Sequence, residues 1–478
     1  MREYDLITIG TGSAMSIVEA MIREKPDLKV AVIDKDEPGG ICLTRGCIPS
    51  KILLYPAELI RTVEGSDEFG IRVKVEGIDF EKVMNRMRTL IHRDIDGIRD
   101  GLSKTESIDY YPQVAEFVAP YTLKVNNEVI TAKMIFLCCG SRPMIPRIDG
   151  LEDTGYLTSD TLLNMTKLPR SVAIIGGSYV AAEYGHFLSA MGADVTIIGR
   201  NPQFLPEEEP EVSALAKREL SKHVRILTNH EVTRVERSSP SSKKLISVNR
   251  ANGQNLELVA EEILLAAGRE SNSDLLHPEL GGVKTDNKGW ILVNEYLETS
   301  RPNVWALGDA IGKHQFKHVA NYEALIVYSN AVLGKKLKAD YHAVPHAVFM
   351  SPEVASVGLG EKEAVRKYGP SKVLIGIHRY QDTARGEAIG ARDYFVKVIV
   401  EADTLRILGA HIIGPHASIL IQEIIDVMYS AGQAFSPIVE AMHIHPAMNE
   451  VVERAFRSLM TPEQYHHVIE HHLNLPTA

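Results

Sequence analysis

A glycine-rich turn between two short apolar runs occurs twice in this chain, and it restricts the possible folds more than any other feature. The first copy reads Leu6-Ile7-Thr8-Ile9, Gly10-Thr11-Gly12, a stretch of helical character over 13–24, and Val30-Ala31-Val32-Ile33 followed by Asp34. Strand, tight turn, helix and strand in this order form a βαβ unit. Glycines in such a turn let the backbone approach a pyrophosphate at the helix N-terminus, and an acid about 20 residues later can bind ribose hydroxyls.

The second copy indicates a second dinucleotide site. It reads Ser171-Val172-Ala173-Ile174-Ile175, then Gly176, Ser178 and Ala181 at the turn, a helix through Met191, and Val195-Thr196-Ile197-Ile198. Where an NAD site usually places an acid, this unit has Arg200, and an arginine can pair with a 2′-phosphate. We interpret Arg200 as evidence for NADPH, although the acidic run 207–209 slightly weakens this interpretation. The alternative is that Arg200 is a solvated loop residue.

The rest of the chain separates into regions of different pattern. A helical stretch over about 78–104 and a strand-rich stretch over about 108–148 lie between the two units, and the polar residues 238–242 are typical of a hairpin tip. After about residue 345 no glycine-rich nucleotide turn occurs. Strands are predicted there at 354–357, 372–377, 394–400 and 408–413, and helices at 417–431 and 447–460. This pattern predicts a C-terminal α+β layer.

The most informative stretch is Gly39-Gly40-Ile41-Cys42-Leu43-Thr44-Arg45-Gly46-Cys47-Ile48-Pro49-Ser50-Lys51. Cys42 and Cys47 can close a small disulfide if Gly46 lets the intervening turn fold back. Pro49 suits the first turn of a helix, which would place the thiols near a helix N-terminus. The helix dipole and the basic side chains nearby should then favour thiolates. The alternative is a pair of buried cysteines in a loop.

Length, charge and composition exclude several classes of protein. At about 100–200 residues per domain, 478 residues suggest about three domains. A net charge of −10 without a long basic block argues against nucleic-acid binding. The N-terminus does not fit a signal peptide, and no apolar run approaches the ~20 residues that span a bilayer. We therefore expect a cytoplasmic protein without a membrane or nucleic-acid partner, in which a cysteine pair is catalytic rather than structural.

The cysteine stretch resembles the redox-active signature of the flavin-dependent pyridine nucleotide–disulfide oxidoreductases, which usually reads G-G-T-C-x-N-x-G-C-I-P-S-K. Ile41 stands here for the threonine, and Thr44-Arg45 for the asparagine and its neighbour. The resemblance extends from Asp5 to about Leu459. It implies an FAD-binding domain in two parts (1–150 and 276–344), an inserted NAD(P)-binding domain (151–275) and a C-terminal α+β dimerisation domain (345–478).

The resemblance also implies which residues hold the cofactors, FAD and NADPH, with NADH as the alternative. Gly10, Gly12 and Asp34 would bind FAD, and Asp309 would contact its ribityl chain. The further predicted cofactor-binding residues are Lys51, Gly140, Gly176, Ser178, Tyr179, Ala181, Glu183, Arg200 and Gly268. Lys51 would pair with Glu183 near the flavin N5. Tyr179 matches the aromatic lid over the flavin in glutathione reductase, with an ordinary core aromatic as the alternative.

Four residues match the catalytic positions of the family. Cys42 would be the interchange thiol that attacks or releases the substrate disulfide, and Cys47 would lie against the isoalloxazine ring as the charge-transfer thiolate. His445 and Glu450 match the ends of the motif H-P-T-x-S-E. His445 would shuttle the thiol proton and Glu450 would orient it. In the family this pair reaches the other subunit's disulfide, which implies a homodimer with shared active sites.

Within the family, Lys317-His318-Val319-Ala320-Asn321 and two other stretches look most like mycothione reductase. Together with Arg200 and Tyr179 they favour an NADPH-dependent reductase of a low-molecular-weight disulfide. The alternative is a dihydrolipoamide dehydrogenase, which normally prefers NAD and would act on a lipoyl domain. A non-catalytic flavoprotein subunit or an NAD(P)H oxidase is a further alternative, and the intact cysteine pair argues against both.

The remaining candidate residues lead to no further predicted site. Cys138 and Cys139 are expected to pack a strand end beside FAD. Mercuric reductase usually carries an accessory cysteine pair at its C-terminus, whereas residues 473–478 contain none, so mercury reduction is not expected. His467 and His471 have a spacing that can bind a metal on one helix face. A solvated helix is the favoured interpretation, and no metal site is predicted.

Overall fold

The computed structural model of the protein describes residues 1–472. Its strands are, in chain order, β1 (Arg2–Ile9), β2 (Val30–Ile33), β3 (Ile108–Tyr111), β4 (Ala115–Ala119), β5 (Thr122–Val125), β6 (Glu128–Leu137), β7 (Ser141–Pro143), β8 (Leu157–Thr158), β9 (Ser171–Ile175), β10 (Asp194–Ile198), β11 (Arg225–Leu227), β12 (His230–Ser239), β13 (Ser242–Asn249), β14 (Asn255–Ala260), β15 (Glu262–Leu265), β16 (Arg269–Ser271), β17 (Val304–Ala306), β18 (Pro345–Val348), β19 (Val354–Gly358), β20 (Val373–Arg379), β21 (Phe395–Glu401) and β22 (Ile407–Ile413). Its helices are α1 (Met15–Glu24), α2 (Gly40–Thr44), α3 (Cys47–Glu64), α4 (Phe80–Lys104), α5 (Leu151–Thr154), α6 (Tyr179–Met191), α7 (Pro210–Leu220), α8 (Lys317–Val327), α9 (Glu361–Tyr368), α10 (Ala384–Ala388), α11 (Ala417–Met428), α12 (Ser436–Glu440), α13 (Glu450–Arg457) and α14 (Pro462–His472).

The first sheet is built on the first glycine-turn unit. Its strand order is β3-β2-β1-β6-β5-β4, with β17 beside β6, and β1 runs parallel to β2 and β6. Residues 6–9 and all of β2 are buried. A parallel sheet is covered by helices on both faces, which is why its strands are continuous apolar runs. The position of β17 shows that the chain returns to this sheet after the second unit.

The second sheet repeats this architecture. Its strands lie in the order β11-β10-β9-β15-β8 and are parallel. Helix α6 begins directly after the second glycine turn, and nearly all of its residues are buried. Phe187 of α6 contacts Phe80 of α4, with 6.3 Å between ring centroids. An antiparallel sheet β12-β13-β14 extends this unit, and its first two strands meet at Ser239 and Ser242, as the predicted hairpin requires.

The third large sheet is antiparallel, in the order β18-β19-β22-β21-β20. Leu420 and Ile424 of α11, and Val452 and Phe456 of α13, share one buried cluster with Val398 of β21. This arrangement is the predicted α+β layer. Together with the two parallel sheets, it confirms the predicted α/β fold with two Rossmann-like units and a C-terminal α+β domain. The domain boundaries remain predictions.

The helix predicted over 447–460 is shorter than expected. It spans Glu450–Arg457 as α13, and the following chain is extended. Met460 and Ile375 exchange two backbone hydrogen bonds of 2.9 Å, so this part of the predicted helix joins the edge of the third sheet instead. Sheet pairing between distant residues overrides a local helical pattern here.

Two sequence arguments concern residues beyond the described part of the chain. The cysteine-free segment 473–478, which argued against mercury reduction, lies outside it, and so does the side chain of His471. Within residues 1–472, no helix is long and apolar enough to cross a membrane.

Candidate active site

The first glycine turn is held tightly against two other backbone segments. Gly10 has a φ of +108°, and a Cβ atom there would lie 2.1 Å from the Cys138 carbonyl oxygen. Gly40 has a φ of +70°, and its Cβ would lie 2.7 Å from the Cα of Gly12. Both positions therefore require glycine. The start of the cysteine stretch packs directly on the nucleotide turn.

Asp34 lies at the end of β2, next to this turn. Its Oδ2 accepts hydrogen bonds from the Thr11 amide at 2.9 Å and the Thr11 hydroxyl at 2.5 Å, and its Oδ1 accepts one from the Asp36 amide at 3.1 Å. Burial raises the pKa of Asp34, against the effect of these hydrogen bonds. The carboxylate is fixed in orientation and can accept further hydrogen bonds, as a ribose-binding acid must.

The two cysteines lie on adjacent helices. Cys42 belongs to α2, and Cys47 is the first residue of α3. A Cβ at Gly46 would lie 2.8 Å from the Ile41 carbonyl oxygen, so glycine permits the return of the chain between them. The thiols are free, and that of Cys42 donates a hydrogen bond to the sulfur of Cys47.

The surroundings shift the pKa values of the two thiols in opposite directions. The hydrogen bond from Cys42 lowers the pKa of Cys47 to about 7, and the positive charge of Lys51 acts in the same direction against burial. The same hydrogen bond, together with burial, raises the pKa of Cys42. Because the thiolate is the reactive form of cysteine, negative charge is concentrated on Cys47 when both thiols are reduced.

Lys51 and Glu183 join the first unit to the second. The Nζ of Lys51, on α3, lies 2.9 and 2.8 Å from the two carboxylate oxygens of Glu183, on α6. Glu183 also accepts a hydrogen bond of 3.1 Å from the Phe349 amide, and the Lys51 ammonium lies 4.6 Å from the centroid of the Phe349 ring. The pair predicted from the family resemblance is therefore formed in the structure.

Asp309 follows β17 and is held by residues of the small β7–β16 sheet. Its Oδ2 accepts a hydrogen bond of 2.6 Å from the Ser141 hydroxyl, and the same hydroxyl accepts one of 2.6 Å from Arg269. The amide of Gly308 donates to the buried Glu323 at 2.6 Å, and burial raises the pKa of Glu323 to about 7. The sequence reasoning missed these three partners of the Gly308-Asp309 turn, although Ser141 and Arg269 directly follow the predicted Gly140 and Gly268.

One continuous cavity of about 1190 Å³ brings most of the predicted residues together. Small-molecule pockets usually measure about 300–1,000 Å³, so this cavity has room for a dinucleotide. The predicted site residues that line it are Gly10, Gly12, Asp34, Cys42, Cys47, Lys51, Gly140, Tyr179, Glu183 and Asp309. The glycine turn at the start of α1, the fixed Asp34 and the Asp309 turn fit the pyrophosphate, ribose and ribityl groups of FAD.

Cys138 and Cys139 follow β6 and line the same cavity. They pack partly buried against the core of the first unit. Burial raises the pKa of both thiols, that of Cys139 to about 12. Their position agrees with the predicted packing of a strand end.

The second glycine turn lies outside this cavity. Gly176 has a φ of +142°, and a Cβ there would lie 2.1 Å from the Ala266 carbonyl oxygen. Ser178 precedes α6 in an extended conformation, and Ala181 is buried in the first turn of that helix. Gly268 has a φ of +118°. This turn has the strand, glycine and helix arrangement that a second nucleotide requires.

The acidic run after Arg200 is mostly directed away from solvent. Arg200 is exposed just after β10, and within residues 1–472 its guanidinium makes no ion pair. Glu208 and Glu209 are buried and contact His346 and Lys397 at 2.6 Å each. The ammonium of the fully buried Lys397 also contacts two further carboxylates, which are Glu211 at 2.5 Å and Glu361 at 2.8 Å. Two of the three acids that tempered the NADPH prediction are therefore neutralised at a domain contact.

His445 and Glu450 form a hydrogen-bonded pair at the start of α13. The Nδ1 of His445 lies 3.0 Å from Glu450 Oε1, and the Ala447 amide donates to Glu450 Oε2 at 3.2 Å. The hydrogen bond from His445 lowers the pKa of Glu450. The His445 side chain is 67% exposed, and it is not among the described residues that line the large cavity. Within residues 1–472, the pair is therefore not part of the cavity lining that contains Cys42 and Cys47.

Two family models match the chain. The model of the pyridine nucleotide-disulphide oxidoreductases matches residues 4–324, and the model of their dimerisation domain matches residues 344–456. The chain belongs to this family. Membership confirms the predicted class of enzyme, a flavin-dependent oxidoreductase that acts on sulfur groups and uses FAD and NAD(P)H. The dimerisation domain also supports a homodimer.

Relatives with different named activities align with nearly the whole length of this oxidoreductase. Mycothione reductase of Mycobacterium tuberculosis is 34% identical over 471 residues, which are 96% of this chain and 100% of the relative. Dihydrolipoyl dehydrogenase of Bacillus subtilis is 32% identical, over 95% of this chain and 97% of the relative. A Cu(II) complex of the HOCl-induced flavoprotein disulfide reductase RclA from Escherichia coli has a TM-score of 0.84 and 27% identity, over 96% of this chain and 99% of that one. These similarities leave the substrate of this oxidoreductase open.

Proposed function

We propose that the enzyme is an NADPH-dependent reductase of low-molecular-weight disulfides. The observation that carries the NADPH preference is Arg200, an exposed cation at the end of β10 where an NAD site usually has an acid. The burial of Glu208 and Glu209 supports it, because these carboxylates do not oppose a 2′-phosphate from the solvent side. A reducing compartment suits this thiol chemistry, and we propose the cytoplasm as the location.

In this proposal, the residues that line the large cavity hold FAD, which supplies two-electron transfer between the nicotinamide and the cysteine pair. Gly10, Gly12 and Asp34 would hold its pyrophosphate and ribose, and Asp309 its ribityl chain. The second glycine turn, with Arg200, would hold the 2′-phosphorylated nucleotide. The role of the ion pair between Lys51 and Glu183 is to fix a positive charge beside Cys47.

The dithiol then reduces the substrate by thiol–disulfide exchange. The Cys42 sulfur attacks one sulfur of the substrate disulfide, the substrate S–S bond breaks, and a mixed disulfide forms. His445 takes the proton of the Cys42 thiol as its sulfur attacks and gives this proton to the departing thiolate. The Cys47 thiolate next attacks the sulfur of Cys42, which forms the Cys42–Cys47 disulfide and releases the second thiolate, and this thiolate takes a proton from solvent. NADPH supplies the two electrons that restore the dithiol, so each turnover consumes one NADPH, one disulfide and one proton.

We further propose that each active site is shared between two subunits. His445 is exposed and lies outside the cavity of its own chain. Its neighbours Met442 and Ile444 are large apolar residues that are also exposed, and a partner subunit would cover them. The histidine of one subunit would thus serve the cysteines of the other.

The test is steady-state turnover with NADPH and NADH against lipoamide and a panel of small thiol disulfides, with and without Arg200→Met. We expect NADPH to be preferred, and Arg200→Met to raise its KM about tenfold with little effect on NADH, since a charge-assisted contact contributes about 1.5 kcal/mol. Cu(II) is included as an acceptor because the similar E. coli reductase was solved as a Cu(II) complex.

The second candidate is a dihydrolipoamide dehydrogenase, which the B. subtilis relative favours. Rapid NAD-linked oxidation of dihydrolipoamide in the same assay would decide for it and against an NADPH-dependent reductase. Oxygen consumption without a disulfide would indicate an NAD(P)H oxidase, and bound FAD without any turnover would indicate a non-catalytic subunit.

A further inference from the structure

A row of near-parallel rings forms the wall of the large cavity next to Tyr179. The ring of Phe316 is stacked on His318, with 5.3 Å between centroids and 10° between planes, and on His346, with 6.0 Å and 4°. Tyr179 contacts Phe316 at 6.3 Å. All four rings line the cavity together with Glu183. A flat heterocycle can pack against such a wall.

His346 differs from the other rings because a buried acid fixes it. Its Nε2 lies 2.6 Å from Glu208 Oε1, and the other carboxylate oxygen accepts a hydrogen bond of 2.5 Å from the Ser356 hydroxyl. Ser356 is itself 3.0 Å from the Nδ1 of the buried His411. The Glu208 side chain is only 2% exposed. This chain of contacts sets the orientation of the His346 ring from behind the cavity wall.

The same contacts determine the charge of His346. A carboxylate buried as fully as that of Glu208 requires a charged or hydrogen-bonded partner. Burial lowers the pKa of His346, but the hydrogen bond and charge of Glu208 outweigh it, and the pKa lies above its ordinary value. The Nδ1 of His346 has no partner within residues 1–472, and the side chain is 23% exposed. The cavity wall thus offers one imidazole ring whose protonated, N–H-donating form the buried Glu208 stabilises.

We propose that His346, held as an imidazolium by Glu208, binds the nicotinamide ring and discriminates against its oxidised form. The reduced nicotinamide is neutral and carries a carboxamide oxygen that can accept from the Nδ1–H. The oxidised ring is a cation, which the imidazolium repels. NADP⁺ is therefore released more readily than NADPH, which favours the reductase direction. The inference rests on the proposed function, in which a nicotinamide nucleotide reduces FAD, and it adds that the nicotinamide lies beside Tyr179 and Glu183 at the cavity wall.

Equilibrium binding to the oxidised, FAD-loaded dimer tests this inference without turnover. The ligands are NADP⁺ and 2′-phospho-ADP-ribose, which lacks the nicotinamide. In His346→Gln the side-chain amide can still donate to Glu208, but the positive charge is lost. We expect NADP⁺ to bind about tenfold more tightly to this variant, as the removal of one screened charge pair of about 1.4 kcal/mol predicts. Binding of 2′-phospho-ADP-ribose should stay within about twofold of the wild-type value.

Two further variants make the result decisive. Glu208→Gln removes the carboxylate that holds the charge and should also tighten NADP⁺ selectively, even if His346→Gln does not fold. His277→Gln replaces an exposed histidine and should leave both ligands unchanged. Equal changes for both ligands would show a purely structural role, and an unchanged NADP⁺ affinity would place the nicotinamide elsewhere; either result overturns the inference.

The same measurement with NAD⁺ and ADP-ribose separates this inference from the proposed NADPH preference. If NADH proves to be the natural reductant, the NADPH proposal fails, but His346→Gln should still tighten NAD⁺ relative to ADP-ribose. If NADPH is preferred and no ligand responds to the variant, the proposed function stands and the role of His346 is refuted.

Discussion

Replacing Lys51 by methionine removes a positive charge that acts on the Cys47 sulfur, and the effect can be predicted in size and direction. The pKa of Cys47 is about 7. One partly screened charge corresponds to about 1.4 kcal/mol, or one pKa unit, so the variant should have a pKa of about 8. At pH 7.5 the thiolate fraction would then fall from about three quarters to about one quarter.

The assay is anaerobic reduction with limiting dithionite over a series of pH values, followed by the long-wavelength thiolate–flavin absorbance. A lowered pKa means that the thiolate persists to lower pH. The band should therefore be present at high pH and disappear as the pH falls through about 7 in the wild type, but already through about 8 in Lys51→Met. Cys47→Ser should abolish it at every pH.

The matched control is the double variant Lys51→Met/Glu183→Gln. The charge of Glu183 opposes the Cys47 thiolate, so its removal should return the midpoint part of the way towards the wild-type value. A midpoint in Lys51→Met that equals the wild-type midpoint would refute the assignment of Lys51, and a band that survives Cys47→Ser would refute the assignment of Cys47.

Three other experiments test the remaining parts of the structure. Co-expressed Cys42→Ser and His445→Gln subunits, each inactive alone, should recover about a quarter of wild-type turnover in randomly paired dimers, whereas sites confined to one chain would recover none. Gly10→Ala should lower the FAD content of the purified protein severalfold, because the added Cβ meets a carbonyl oxygen at 2.1 Å. The control Gly97→Ala, whose Cβ has no neighbouring atom within 4 Å, should keep its FAD. Equal FAD contents in the two variants would contradict this prediction. Lys397→Met should lower the free energy of unfolding by about 3–5 kcal/mol, because three buried carboxylates lose their counter-charge; an unchanged thermal midpoint would contradict it.

Local sequence patterns are sufficient to predict the two nucleotide turns and the redox-active cysteine stretch. Each of these motifs is a run of a few consecutive residues and can be recognised without knowing its distant contacts, although the carbonyl groups that Gly10 and Gly176 approach belong to Cys138 and Ala266, far along the chain. The pairing of Lys51 with Glu183 joins residues 132 positions apart, and it was predicted only because the family resemblance supplied it.

Contacts between domains could not be predicted in the same way. The local pattern assigns the acidic run 207–209 to the nucleotide site, but Glu208 and Glu209 contact residues more than 100 positions away in the third sheet. Nothing in the local pattern distinguishes a buried glutamate from a solvated one. The place where His445 would act is equally beyond one chain's sequence pattern, because in the proposed shared site it depends on how two subunits associate.

Helix α6 joins the two halves of the proposed reaction. It begins at the second glycine turn, after Ser178, and carries Glu183 five residues later. At about 1.5 Å per residue, the separation along the axis is about 7–8 Å, and each residue adds about 100° of rotation. A single inserted residue in this stretch would therefore turn the carboxylate away from Lys51. The first turns of α6 act as a spacer of fixed length, and insertions that enlarge the nucleotide site have to occur outside them.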